Sequence, residues 1–254
     1  MAEADLDSGE LTLIGRITSA SNATFLGSIG STDVIYKPAA GERPLWDFPD
    51  GGLARREVAA FLVSQSFGWN VVPRTWLRDG PFGLGMVQLW QDADPDQDAV
   101  DLVPAGAVTD GWRQVFAGTD DQDRPVVLVH EDSLALRRMA VFDAVVNNAD
   151  RKGAHILPMG DGHRHGVDHG LTFHVEHKLR TVLWGWLGEP LNAEEFDGID
   201  RVRADLAGEL GDALGELISD REIDALDARC ARLRSEGHFP GPHGNMPAMP
   251  WPLF

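Results

Sequence analysis

Asp143-Ala144-Val145-Val146-Asn147-Asn148-Ala149-Asp150-Arg151-Lys152-Gly153-Ala154-His155-Ile156-Leu157 is the stretch on which the reading of this chain turns. An apolar helix that runs into two asparagines, an aspartate and an arginine is poor core material. Two readings are open: helix capping followed by a solvated loop, or the polar end of an active site. A second stretch follows closely, Gly166-Val167-Asp168-His169-Gly170-Leu171-Thr172-Phe173. A carboxylate directly after an apolar, strand-like pair suits an oxygen ligand held over a metal, and a plain Asp-His-Gly turn is the other reading. Magnesium takes hard oxygen ligands together with substrate phosphates, which Asp168 and one neighbour can supply.

Working outward toward the first residues, the chain reads as strands. Leu11, Leu13 and Ile17 lie in an apolar run, Thr18 to Asn22 forms a turn, and Ala23 to Ser28 a second strand. Val34-Ile35-Tyr36-Lys37 is a third, closed by Pro38. A lysine ending such a strand either snorkels at the sheet edge or projects its ammonium into a cleft. The second role needs a carboxylate to hold it, and Glu57 stands on the next helix, expected over Leu53 to Phe67 with Gly68 as its cap. Val58, Phe61, Leu62 and Gln65 share one face of that helix, so partial burial is expected there. The small residues from Thr18 to Thr24, with Ser21 and Asn22, can bring backbone N–H groups and a hydroxyl up to a phosphate. Any short hairpin turn has the same look.

Val71-Val72 and Leu84 to Trp90 suggest two more strands. Residues 92–125, acidic and rich in glycine and proline, read as a connection carrying one short helix. Asp132 or Ser133 caps a strong helix with Leu136, Met139, Phe142 and Val146 on one side. Ile199 to Leu217 and Asp220 to Arg234 read as two closing helices. The last stretch, Gly237 to Phe254, holds five prolines and cannot be regular helix. Strands first and helices after predict an α+β protein with a sheet lobe, a helical lobe and a ligand cleft between them.

Composition narrows the partners. The formal net charge is −18, a surface that repels nucleic-acid phosphates and anionic lipid head groups. No window approaches the ~18–20 apolar residues needed to span a bilayer. The acidic opening MAEADLDSGE has no signal-peptide pattern. One cysteine, Cys230, rules out an internal disulfide and a four-cysteine zinc site, and a reducing cytoplasm is the expected compartment. Only three of the 22 basic residues are lysines, and two of them, Lys37 and Lys152, fall inside the motifs above.

Taken in order, these pieces resemble the type II phosphatidylinositol 4-kinases and, more distantly, the HipA-like bacterial kinases. Tyr36-Lys37-Pro38 looks like the lysine-proline strand end of that superfamily. Glu57 with the apolar helix behind it, then Asn70-Val71-Val72-Pro73-Arg74-Thr75, is similar to its helix and following "N-I-V-P-R-T" segment. Asp143 to Leu157 resembles "D-x-x-x-x-N-x-D-R-x-x-x-N", and Val167 to Phe173 resembles "I-D-N-G-L-A-F". Trp184-Gly185-Trp186-Leu187 looks like "W-A-W-L". The chain is also identified as a member of an actinobacterial branch of this superfamily. The resemblance implies a bilobal protein-kinase-like fold, with a nucleotide-binding lobe over 1–91, a catalytic lobe over 92–236 and a tail over 237–254.

It implies roles as well. Lys37 would hold the α/β-phosphates of ATP with Glu57 as its partner, and Ser21 and Asn22 would lie in the phosphate-covering loop. Val87, Gln88 and Leu89 would offer backbone groups to adenine. Asp150 would orient or deprotonate an acceptor hydroxyl, braced by Asp143, Asn148 and Arg151, and Asp168 would bind Mg2+ or Mn2+. Where the family has its second metal-binding asparagine this chain has His155, either a ligand that favours softer ions or a core histidine. The implied activity is transfer of the γ-phosphate of ATP to a hydroxyl of a protein or small polyol. The lipid kinases' cysteine-rich anchoring segment has no counterpart here, which speaks against a membrane lipid as acceptor and against stable membrane insertion. A catalytically quiet nucleotide-binding module and a nucleotidyl transferase stand as alternatives.

Overall fold

The computed structural model describes residues 3–18, 20, 22–43, 45, 48, 52–243 and 247–254. A short helix α1 (Glu3–Ser8) precedes three strands, β1 (Leu11–Arg16), β2 (Phe25–Ile29) and β3 (Thr32–Pro38). Helix α2 (Leu53–Phe67) follows, then β4 (Thr75–Gly80) and β5 (Gly83–Leu89). The five strands form one antiparallel sheet in the order β1-β2-β3-β5-β4. Side-chain alternation along β3 divides its residues between two faces. Val34 and Tyr36 go to a small core with Leu6, Leu11, Ile29 and Val87. Lys37 goes to the opposite face, where its sheet partner Met86 packs with Ala54 and Val58 of α2.

Helix α2 has the bounds expected from sequence. Gly52 supplies no capping side chain, and the Glu42 carboxylate takes its place, accepting from the Leu53 and Ala54 N–H groups at 3.0 and 2.8 Å. Gly68, left-handed at φ 69°, ends it. The buried face is wider than expected. Ala59, Ala60, Val63 and Phe67 are fully buried against the second lobe, while Phe61 and Leu62 are only partly covered. Val71 and Val72 are buried but belong to a loop, and the strand begins later, at Thr75.

Residues 92–125 depart most from expectation. In place of a connection with a helix there is a second antiparallel sheet, β6 (Val100–Pro104), β7 (Trp112–Thr119) and β8 (Pro125–Glu131), in the order β6-β8-β7. Only the central strand β8 is well buried, through Val127, Leu128, Val129 and His130. The outer strands are largely exposed and carry polar residues, so the average composition hides them.

Helix α3 (Leu134–Val146) starts at Ser133, whose hydroxyl accepts from Leu136 N–H, and ends at Asn147, left-handed at φ 56°. The hairpin β9 (Ile156–Pro158) and β10 (Arg164–Gly166) follows. Three helices close the lobe, α4 (Ala193–Leu206), α5 (Glu209–Gly215) and α6 (Asp220–Glu236). The expected single helix over 199–217 is broken, with Ala207 and Gly208 between α4 and α5. Capping boxes at Asn192–Glu195 and Ser219–Glu222 set the starts of α4 and α6. The main core joins one face of α2 to α3, α4, α5 and α6. The fold is α+β and bilobal, a sheet lobe joined to a larger, mainly helical lobe.

Candidate active site

Three elements converge on the Lys37 ammonium. It lies 2.6 Å from Glu57 Oε1 on α2 and 2.7 Å from Asp168 Oδ1 on the loop after β10. Glu57 is buried, and its other oxygen accepts from the His169 N–H at 2.9 Å. The sheet, the helix and the second lobe are thereby tied at one point. Burial works against charge on Lys37, but Asp168 and then Glu57 outweigh it and hold the ammonium above the ordinary lysine range. Lys37 in turn holds the Asp168 carboxyl well below the usual carboxylate range. Burial pushes the Glu57 carboxyl up, with Lys37 opposing.

Asp168 is a non-glycine residue at φ 60°. Backbone strain of this kind persists only where the surroundings over-determine it, and here Lys37, Glu57 and the Glu57–His169 bond do so. The Asp168 side chain is still 48% exposed.

Beneath it lies a buried brace. Arg151 donates Nε and Nη2 to both oxygens of Asp143 at 2.8 Å, with both side chains fully buried. Its Nη1 reaches the carbonyls of His155 (3.0 Å) and Val167 (3.3 Å), and its Nη2 meets His169 Nε2 at 2.6 Å. Gly166 is a glycine because a Cβ there would come within 2.9 Å of the guanidinium. Asn148 links the pair to the loop, donating to Asp143 Oδ1 and accepting from the Asp150 N–H, each at 3.0 Å. Asp143, Asn148 and Arg151 are buried and bond the main chain on either side of the site, at the Asp150 N–H and the Val167 carbonyl.

Asp150 is partly covered and pairs with Lys152 Nζ at 3.1 Å. Burial raises its carboxyl pKa, with Lys152 opposing. His155 Nδ1 lies 2.9 Å from the Asp150 carbonyl, which can only accept, so Nδ1 carries the proton. Burial lowers the His155 pKa and keeps the ring neutral. The lone pair of Nε2 then faces Asp168 Oδ2 at 3.3 Å. Two acceptors facing each other suit a cation shared between them. Two ligands at about 2.1 Å from one ion, set at about a right angle, stand about 3 Å apart. Among the described residues no group of three or more His, Cys, Asp or Glu gathers into a metal cage. The donor set is thus one carboxylate and one imidazole, which fits an ion that completes its shell with phosphates and water.

Other expected positions fare differently. Ser21 lies outside the described residues. Asn22 accepts from the Arg43 N–H at 3.1 Å, which ties the loop to the segment after β3. Val87, Gln88 and Leu89 sit on β5, an interior strand paired with β3 on one side and β4 on the other. Leu89 N–H bonds Arg74 O and Gln88 Nε2 bonds Thr75 Oγ1. Val87 and Gln88 are flanked by both neighbouring strands, and the Leu89 carbonyl, at the strand end, meets Gln91 Nε2 at 3.5 Å, so an adenine contact at 87–89 would fall to that carbonyl. The chain leaves the sheet only at Gln91, after the Trp90 N–H has bonded Asp33 O.

Compared with known proteins, no family model matches the chain. Protein Rv2133c of Mycobacterium tuberculosis (strain ATCC 25618 / H37Rv) is 51% identical over 262 residues, covering 98% of this chain and 94% of that protein. The chain belongs to the Rv2133c family. Among solved structures it is similar to the Helicobacter pylori proinflammatory kinase CtkA, with a TM-score of 0.46, 11% identity, and coverage of 92% and 94% of the two chains. It is also similar to HipA of Shewanella oneidensis MR-1, solved with HipB and operator DNA, with a TM-score of 0.39, 12% identity, and coverage of 87% and 64%. The Rio2 kinase of Chaetomium thermophilum gives a TM-score of 0.32 at 12% identity, over 89% and 70%.

Two residues of this Rv2133c-family chain belong to the site although sequence reasoning gave them no role in it. Lys152 neutralises Asp150, and its signal was the scarcity of lysine. His169 joins Glu57 to Arg151, which a residue between an aspartate and a glycine does not announce. No helix among the described residues is long and apolar enough to cross a membrane.

Proposed function

We propose that this protein is an ATP- and divalent-metal-dependent phosphotransferase, allied to the type II phosphatidylinositol 4-kinase and HipA-like superfamily, that moves the γ-phosphate to a hydroxyl. The observation that carries the proposal is the double ion pair of Lys37 with Glu57 and Asp168. A lysine held by two carboxylates from different lobes is a preset clamp for α/β-phosphates. Glu57 keeps the ammonium in place as the nucleotide's oxygens take over part of the contact with Asp168. Asp168 and His155 would hold the cation, Mg2+ or Mn2+, which when bound neutralises charge on the phosphates. Asp150, with its pKa raised by burial, orients the acceptor hydroxyl and takes its proton. Lys152 stabilises the carboxylate before transfer, and Arg151, Asp143 and Asn148 hold the loop still. Such catalysis is mostly positioning and charge stabilisation, for which a rigid buried brace is suited.

The net charge of −18 argues for an acceptor other than nucleic acid or an anionic membrane surface. Incubation with γ-labelled and then α-labelled ATP, with magnesium or manganese, tests the reading. Label transferred or released from the γ position supports phosphotransfer. Label transferred only from the α position makes the protein a nucleotidyl transferase, and neither makes it a binding module.

A further inference from the structure

Arg229 is a buried cation without a counter-charge. Of the buried arginines described, Arg56 pairs with Glu222, Arg151 with Asp143 and Arg164 with Glu131. Arg229 is only 6% exposed and faces no carboxylate at ion-pair distance. Its Nε donates to the Val145 carbonyl at 2.7 Å and its Nη1 to the His174 carbonyl at 3.2 Å, while Nη2 has no partner. Burial lowers its pKa to about 10. A charge taken out of water without a partner is strongly destabilising. In a chain with 40 acidic and 22 basic residues, composition does not explain a guanidinium left in this state.

The groups around it carry the same sign. Arg232 stands one turn further along α6, on the same face. The segment that follows Asp168 meets that face at the His174 carbonyl and carries His177, whose ring meets His243 edge-on with centroids 5.7 Å apart. His177 Nε2 is a second buried nitrogen without a partner. Burial, then the charges of Arg232, His243 and Arg229, lower the His177 pKa. The carboxylates of the same two segments are engaged elsewhere: Glu176 meets Lys178 at 3.4 Å, Asp227 meets Arg203 at 2.8 Å, and Glu222 holds Arg56. Arg232 and His243 are exposed, which gives the cluster a solvent-facing side with Arg229 behind it.

We propose that Arg232, His243 and His177, with the charge of Arg229 behind them, form a binding site for a phosphate-type oxyanion, either inorganic phosphate or a phosphate monoester. Phosphate brings several acceptor oxygens and about two negative charges to a place that has donors and positive charge to spare. None of these four residues belongs to the Lys37 clamp, and the site does not depend on the proposed phosphotransfer. It is linked to the catalytic loop through Asn147, just before Asp150. Asn147 Nδ2 donates to the His174 and Glu176 carbonyls at 2.8 and 2.7 Å, and its Oδ1 accepts from the Lys178 N–H at 2.8 Å. A ligand held here acts on the segment leading away from Asp168 and, through Asn147, on the start of the Asp150 loop.

Calorimetric titration of the full chain, at neutral pH and fixed ionic strength in a phosphate-free buffer, tests the site. The probes are inorganic phosphate, chloride as control, and the peptides Ala-phosphoSer-Ala and Ala-Ser-Ala. Saturable phosphate binding is expected, with none for chloride or the plain peptide. Arg232→Gln should weaken it by at least about tenfold, the worth of one hydrogen bond to a charged group, and His243→Gln by less. Both side chains are exposed, so the variants fold, and both should keep the parent's affinity for ATP. A phosphopeptide bound more tightly than the free ion makes the site a reader of phosphorylated chains, and equal affinities make it a site for the ion itself. Heats no different from those of chloride, an affinity unchanged in both variants, or a parallel fall in ATP affinity would overturn the inference. Absence of ATP binding in a parent that still binds phosphate would overturn the proposed function alone.

Discussion

Replacing Arg151 by methionine while Asp143 stays in place strands a carboxylate in the centre of the second lobe. Both Asp143 oxygens now accept from the guanidinium at 2.8 Å, and neither side chain is exposed at all. Removing one member of a buried ion pair costs about 3–5 kcal/mol, because the other charge is left without a partner. The carbonyls of His155 and Val167 lose a donor in the same change. For a chain of this size, about 2–4 °C of Tm accompanies each kcal/mol, so Tm falls by roughly 6–20 °C. Asp143→Leu alone leaves the guanidinium buried and unpaired, with a similar loss. The double variant, Asp143→Leu with Arg151→Met, buries no charge. It should be more stable than the sum of the singles by about 2–3 kcal/mol, the range for directly coupled residues. Its phosphotransfer should still be lost, since the Asp150 loop has lost its anchor. Urea unfolding followed by tryptophan fluorescence gives all three values. Single losses below about 1 kcal/mol, or strictly additive ones, would refute the claim that this pair holds the loop.

Other expectations follow from the same geometry. Lys37→Met should weaken ATP binding by at least tenfold, about 1.4 kcal/mol, and should also lower stability because Glu57 stays buried without its partner; equilibrium dialysis and thermal melts measure both. His155→Asn replaces an imidazole by an amide, so the metal preference in a nucleotide-binding titration should move from manganese toward magnesium; coincident titrations would make His155 a packing residue. Burial beside His163 pushes His165 down to about 4. The unfolded chain binds that proton near pH 6.5 and the folded chain only near 4, so stability is lost as pH falls between those values, by about 3 kcal/mol in all. His165→Gln should flatten that limb of the stability–pH curve measured by urea unfolding.

Much of the site was legible because its chemistry is local in sequence. Asp143, Asn148, Asp150, Arg151 and His155 fall within thirteen residues, and a helix ending at Asn147 gathers them. Lys37 and Glu57 were readable from one strand end and one helix, each with a strong boundary signal at Pro38 and Gly68. Which main-chain groups of Val87, Gln88 and Leu89 stay open depends on strand order, which is not local: β5 gains β3 and β4 as neighbours on both sides. The sheet of β6, β7 and β8 was missed because only β8 carries a sustained apolar run. The role of His169 depends on the side of Arg151 left open by Asp143, which no spacing rule encodes. The course of residues 248–254 is set by single carbonyl contacts to Thr181 and Gly153, invisible in a proline-rich composition.

The most direct measurement of the central claim is calorimetric ATP binding, with and without magnesium or manganese, to Asp168→Asn and Asp150→Asn alongside γ-phosphate transfer. Asp168→Asn removes the anionic oxygen that would hold the cation, so its ATP binding should no longer respond to metal. Asp150→Asn should bind ATP and metal as the parent does and lose transfer, because it removes the group that takes the hydroxyl proton. Metal-responsive binding in Asp168→Asn, or undiminished transfer in Asp150→Asn, would contradict the assignment of the site.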